Sequence, residues 1–254
     1  MNEAVEYRVR AARAEDIPFL AQIMLWSMLP AAGVGLFEPM LKDTGIDQLR
    51  FHETLLMTGA NHWGRLEDFL VLHQEETLVA AASSYLSSQP DQRPLTPDGL
   101  EKACGYLQVG EAQKKEMTRQ YIRSFGFSGD QPHLVHPAEY VIEYGAMSPD
   151  HRRLGLHRLL MVAHVKRARD RGHASVGTIA IAGNRLAFNA WARLGGKLHS
   201  TLGPEFFKNG VPGMHRFLWD LTDDASRILL EETTTFSAIG PAGRQERLSR
   251  HRHG

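Results

Sequence analysis

Between Tyr140 and Gly195 short β-prone runs and helical patterns follow one another with almost no spare chain, and this spacing constrains the 254-residue sequence more than anything else in it. Tyr140 to Met147 reads as a strand. Ser148-Pro149-Asp150 breaks it, and Leu156, Leu159, Leu160 and Ala163 then recur at i, i+3, i+4 and i+7 in a helix that runs to Gly172. Val176 to Ala182 is a second strand. Asn184 is a good N-cap for a second helix carrying Ala187, Ala190, Trp191 and Leu194, which Gly195-Gly196 stops. Leu198 to Leu202 and Met214 to Leu221 complete the series as strands.

The N-terminal half is less regular. Tyr7, Val9 and Ala11 alternate with Arg8 and Arg10 as a half-buried strand, and Ile17, Leu20, Ala21 and Met24 give the following helix an apolar face. A second helix is expected from Ile46 to Met57, and Phe69 to His73 with Thr77 to Tyr85 reads as a hairpin about Gln74-Glu75-Glu76. Residues 89–137, bounded and interrupted by prolines, read as an insertion holding one polar helix from Glu111 to Phe125. After Thr222 an acidic stretch gives way to a basic end (Arg244, Arg247, Arg250, Arg252) with little to bury, expected to be mobile or ordered by a partner. Lys+Arg 29 against Asp+Glu 29 argues against a surface that coats nucleic acid or an anionic membrane. With Cys104 alone there is no internal disulfide, and no export signal or 18-residue apolar run is read, so a reducing cytoplasm is the expected compartment.

The chemistry concentrates in the turn between the first strand and helix of the series. A helix N-terminus leaves backbone N–H groups unpaired in a field that favours anions, and Gly155 lets the backbone come close to one. Residues 150 to 171 hold seven Lys/Arg against two Asp, so a locally basic helix begins at this turn although the whole chain is neutral. Taken together, the turn from Arg152 to Arg158 and the later Asn184, Ala187, Trp191 and Gly195 resemble the GCN5-related N-acetyltransferase (GNAT) family. There an Arg/Gln-x-x-Gly-x-Gly/Ala turn binds the pyrophosphate of acetyl-CoA, and an Asn-x-x-Ala-x-x-x-Tyr-x-x-x-Gly pattern follows. Arg152 and Gly155 match. Leu154 replaces the usual basic or Gln side chain, His157 the final Gly/Ala, and Trp191 the Tyr.

The resemblance implies an α/β (α+β) fold, a mixed, strongly twisted sheet flanked by helices, as one domain over residues 7–221 including the insertion, with 222–254 as a tail. It implies an acyl-CoA co-substrate, acetyl-CoA or another short acyl thioester, held by Met147, Arg152, Arg153, Leu154, Gly155, Leu156, His157, Arg158, Asn184 and Trp191. An amine acceptor, small molecule or peptide, attacks the thioester directly in a ternary complex. Glu143 is the candidate base, and the backbone N–H of Met147 the oxyanion donor. An indole cannot usefully give the departing thiolate a proton, so Tyr144 is a candidate stand-in for the family's acid. Unassisted departure of a thiol with pKa near 8.5 at pH 7 costs roughly 2 kcal/mol, on the order of thirtyfold, which weakens activity without excluding it.

Other readings of the same residues stand beside these. Glu143 also reads as a solvated strand residue, Asn184 as a plain cap and Trp191 as core packing on its helix's apolar stripe. His133 and His136 lack Cys or carboxylate partners at zinc spacing, so no metal is expected, and no Gly-x-Ser-x-Gly turn or Walker A loop is present. A catalytically degenerate acyl-CoA-binding or regulatory module is the alternative function. A basic tail engaging RNA or an acidic partner is the third, although nucleic acid is not the expected partner. Neither is a membrane, and a homodimer is left open.

Overall fold

Seven strands form one open sheet in the computed structural model, which describes residues 5–32, 35–125, 135–207, 211–222 and 237–238. The chain opens with β1 (Val5–Glu6) and β2 (Arg8–Ala11), then α1 (Ile17–Ala32), a single turn α2 (Glu38–Leu41) and α3 (Gln48–Thr58). The hairpin β3 (Leu70–Gln74) and β4 (Thr77–Leu86) follows, then α4 (Pro97–Tyr106) and α5 (Glu111–Phe125). The second half runs β5 (Tyr140–Met147), α6 (His157–Asp170), β6 (Ser175–Ile181), α7 (Arg185–Arg193), β7 (Lys197–Leu202), β8 (Met214–Asp220) and β9 (Ser237–Ala238). The sheet order is β2-β3-β4-β5-β6-β8-β7, and every neighbouring pair is antiparallel except β5 with β6.

Local chemistry sets most element ends. Asp47 caps α3 by accepting the Arg50 N–H at 3.1 Å, and Gly59 ends it with φ 65°. Asp16, buried ahead of α1, is bridged by Arg10 at 2.6 and 2.8 Å, which fixes that helix to β2 and holds the carboxyl below its usual range.

Two apolar layers enclose the sheet. Under α1 and α3 lie Leu20, Ile23, Phe51, Leu55, Phe69, Val71 and Val141; under α6 lie Leu72, Val79, Tyr140, Ile142, Leu156, Val165 and Phe217. Each such side chain, fully buried, contributes about 1.5–3 kcal/mol before ordering entropy is counted. His164 of α6 is buried in the second layer, where its Nε2–H donates to Ala82 O at 3.1 Å and its Nδ1 accepts from the Tyr140 hydroxyl at 2.9 Å. Burial lowers its pKa to about 3, so it is a neutral crosslink between helix and sheet.

The segment 89–137 holds two helices where one is expected. Thr96 caps α4 by accepting the Gly99 N–H at 3.1 Å, with Pro97 at the first helical position. Leu95, Leu100, Met117 and Tyr121 enter the same apolar layer as α1 and α3, so this segment is part of the core. Of the prolines that read as loop signals, Pro97 starts a helix. In the tail, Ser237–Ala238 pairs antiparallel with Val5–Glu6; the basic residues from Arg244 onward, like His133, lie outside the described residues.

Candidate active site

The parallel ladder between β5 and β6 is short. Tyr140, Val141 and Ile142 pair with Val176, Gly177 and Thr178, and pairing then stops. The Thr178 hydroxyl donates to Ile142 O at 3.0 Å at the last rung. Beyond it Glu143–Gly145 and Ile179–Ile181 border a cleft of about 460 Å³ of open space, solvent included, to which α1 contributes Ser27 and Met28 and α7 contributes Ala187 and Trp191.

A β-bulge decides what faces this cleft. Ser83 pairs with Glu143 and Ala81 with Ala146, so β5 carries one more residue than β4 across that interval. Tyr144 takes up the difference with φ 48°, a left-handed conformation that costs a bulky residue about 1–3 kcal/mol. Simple alternation puts Glu143 and Gly145 on one face and Tyr144 on the other. The bulge instead turns Glu143 and Tyr144 both toward the α1/α3 layer, while Gly145 faces Ala82 and Trp191 on the other side.

Glu143 is 7% exposed, and none of the described side chains hydrogen-bonds its carboxyl. Burial alone pushes its pKa up to about 8. Tyr85 and Tyr144 flank it electrostatically, and burial first, then the Glu143 charge, hold both phenols well above their usual value. The reading of Glu143 as a solvated strand residue is therefore set aside. Tyr144 lies away from Trp191: it is 3% exposed, its ring packs near Trp63 and Phe69, and its hydroxyl donates to Asn61 Oδ1 at 3.3 Å. The bulge leaves Glu143 on the Val141 face and carries the Tyr144 phenol into the core on that same side, on the opposite face of the sheet from Trp191.

Ser148 N–H donates to Val79 O at 2.8 Å, and residues alternate direction in an antiparallel ladder, so the Met147 amide points away from β4. The strand on that side has already left the ladder.

From Met147 the chain makes a 3-10 turn (Pro149–His151) and reaches α6 through Arg153 and Gly155, with φ 65° and 78°. The N–H groups of Leu154, Gly155, Leu156 and His157 donate to no protein acceptor among the described residues, whereas Arg158 N–H turns back to Gly155 O at 3.1 Å. A Cβ on Gly155 meets nothing within 4 Å, so the glycine is required by its φ and not by crowding. Leu156 is fully buried under the sheet and anchors the turn; Leu154 packs against the same layer. Arg152 and Arg153 are exposed beside it, and Arg152 Nε donates to Met147 O at 3.4 Å. Burial holds the His157 ring below its usual pKa, so it is a neutral side chain whose Nε2 has no partner.

Asn184 Oδ1 accepts the Ala187 N–H at 3.0 Å, which confirms the cap, and Asn184 also borders the cleft. The Trp191 indole N–H donates to Ile179 O at 3.2 Å, on the first β6 residue beyond the ladder. Ser27, Met28, Thr178 and Ile179 carry no motif, and only the tertiary fold brings them to the cleft. Among the described residues no group of three or more His, Cys, Asp or Glu could hold a metal ion, and no helix is long and apolar enough to cross a membrane.

Solved structures match this arrangement over most of the chain. A protein solved as SsHAT is 14% identical, with a TM-score of 0.53 over 86% of this chain and 100% of that one. The chain has the GNAT fold. An N-acetyltransferase from Staphylococcus aureus matches the same fold at 16% identity, TM-score 0.50, over 84% of this chain and 100% of that one. A protein described only as an acetyltransferase matches at 12% identity, TM-score 0.50, over 84% and 98%. No protein-family model and no curated protein matches the sequence.

Proposed function

We propose that the chain is a GNAT-fold acyltransferase that moves an acetyl or other short acyl group from acyl-CoA to an amine. The observation that carries this reading is Glu143: a buried carboxyl, with no hydrogen-bond partner among the described side chains, at the cleft beyond the last rung of the parallel ladder. A base works best with a pKa near the working pH, and a value of about 8 meets that condition for an ammonium acceptor. The turn fits a pyrophosphate through its undonated N–H groups at Leu154 to His157, with Arg152 and Arg153 as exposed cations beside it. Acyl-CoA, when bound, supplies the activated acyl group as a thioester. Glu143 takes the ammonium proton, and the Met147 N–H donates to the oxygen on which negative charge develops. Asn184 positions the first turn of α7 at the cleft. The domain so defined spans residues 7–221, with 222–254 appended, and acceptor identity is set by the α1/α3 side and the 89–137 segment.

A second reading, an acyl-CoA-binding module without turnover, is favoured by one observation: the indole N–H of Trp191 is committed to Ile179 O, leaving no acid where the family has a phenol. Calorimetric titration with acetyl-CoA, followed by assay of free CoA thiol against a panel of amines, separates the two. Binding with amine-dependent thiol release supports transfer. Binding without release over the whole panel supports the module, and no binding of any acyl-CoA overturns both.

A further inference from the structure

Trp191 crosses the opening between β5 and β6. Its N–H is tied to Ile179 O on β6 at 3.2 Å, and the far edge of its six-membered ring, Cη2, lies 3.9 Å from where a Cβ on Gly145 of β5 would sit. The ring is braced in addition by edge-on contacts to His157 at 5.8 Å and Trp219 at 6.4 Å between centroids. Trp219 is itself fixed, its indole N–H donating to Leu194 O at 2.9 Å. A carbonyl that a continued parallel ladder would satisfy from β5 is thus satisfied by a side chain from α7, which closes the opening on that face of the sheet. Ser27 and Met28 approach the same opening from the α1 face.

We infer that Trp191 is the specificity-determining wall of the acyl subsite, and that it restricts the donor to a two- or three-carbon acyl group. The inference rests on the acyltransferase reading and deepens it, since the fold alone leaves the acyl length open. An indole held at its N–H, its ring edge and by two edge-on ring contacts does not swing aside cheaply. A chain extending between the strands therefore meets a fixed barrier. A hydrophobic subsite discriminates by roughly tenfold or more per methylene that does or does not fit. Trp191→Ala opens the space between Gly145 and Ile179, and Trp191→Phe removes the N–H tether while keeping an aromatic ring of smaller reach.

The test is calorimetric titration of the full chain and both variants with CoA, acetyl-CoA, butyryl-CoA and hexanoyl-CoA. The natural chain is expected to bind CoA and acetyl-CoA and to lose about tenfold or more in affinity from acetyl to hexanoyl. Trp191→Ala is expected to remove or invert that loss, read as the ratio of hexanoyl-CoA to acetyl-CoA affinity within each protein, and Trp191→Phe to give an intermediate ratio. If Trp191→Ala does not fold, a fewfold shift toward longer chains in Trp191→Phe still supports the wall, and none overturns it. CoA binding with the same chain-length profile in all three proteins overturns the wall and leaves the acyltransferase reading intact. Absence of binding by the natural chain to every CoA thioester overturns that reading instead.

Discussion

The two halves of the β5–β6 seam are built from one pair of strands and behave as opposites. In the paired half, Gly177 lies so close to His136 that an added Cβ would sit 2.0 Å from the imidazole Cε1. That ring is buried, lowered to about 4 by burial, donating through Nε2 to Thr178 O at 3.3 Å and accepting the Ala138 N–H at Nδ1. Both ring nitrogens have partners, and a side chain on Gly177 has no room. In the open half the β5–β6 ladder has ended, β5 bulges against β4 on its other side, and Glu143 is buried with no partner among the described side chains. An unpaired buried carboxyl is costly, and the closed half is where the fold offsets that cost. One half stabilises the seam, and the other holds a buried carboxyl whose pKa is raised to about 8.

The difference is broken most sharply at Glu143. Glu143→Gln keeps the shape and removes the base, and a loss of about 10²–10⁴-fold in kcat is expected in the amine-dependent thiol-release assay. Loss of less than threefold would remove Glu143 from catalysis. The natural chain's kcat/KM should rise with pH up to about 8, where the free carboxyl ionises, and this limb should vanish in the variant.

The same group sharpens the comparison through stability. Because the folded pKa is raised to about 8 from 4.5, the native state keeps a proton that the unfolded chain has released, so stability falls as pH rises between those values. Neutral His52, His136 and His164, lowered to about 4, 4 and 3, act oppositely, lowering stability as pH falls below 6.5. The window from 6.5 to 8 isolates Glu143, and denaturant titrations there should show the natural chain losing about 2 kcal/mol relative to Glu143→Gln. Equal slopes for the two proteins would show that the carboxyl is not held protonated.

On the closed side Gly177→Ala forces the His136 ring to move. A loss of roughly 1–3 kcal/mol in unfolding free energy is expected, with little change in cofactor affinity. A neutral effect would mean that the two halves do not differ in packing. The smallest effect is expected for Tyr144→Phe, which removes one hydroxyl bonded to Asn61 and is worth about 1 kcal/mol of stability with turnover within twofold. A tenfold fall in kcat would return the phenol to the chemistry.

Much of this was legible in the sequence. The strand at Tyr140–Met147, the Asn184 cap and the helix of Leu156, Leu159 and Leu160 follow from periodicity and local hydrogen bonding, which neighbouring residues determine among themselves. Gly155 was singled out for a close backbone approach, and the structure shows that its left-handed φ of 78° is what requires the glycine. The helix α4 was not, since Pro97 reads equally as a loop signal and as a first helical residue until Thr96 is seen to cap it. Nor was the direction of Tyr144. A bulge is a count of residues on two strands, β4 and β5, that lie some sixty positions apart, and no window on β5 alone contains it.

Sequence by itself therefore determined most of the elements, the Asn184 cap and the glycine-containing turn ahead of α6, because propensity and capping act over a few residues. Tertiary structure alone decided that Glu143 is buried, that Tyr144 is turned into the core and that the Trp191 indole is tied to a β6 carbonyl. Burial, ladder register and the reach of an indole between elements are properties of distant segments brought together, and they exist only once the sheet has formed.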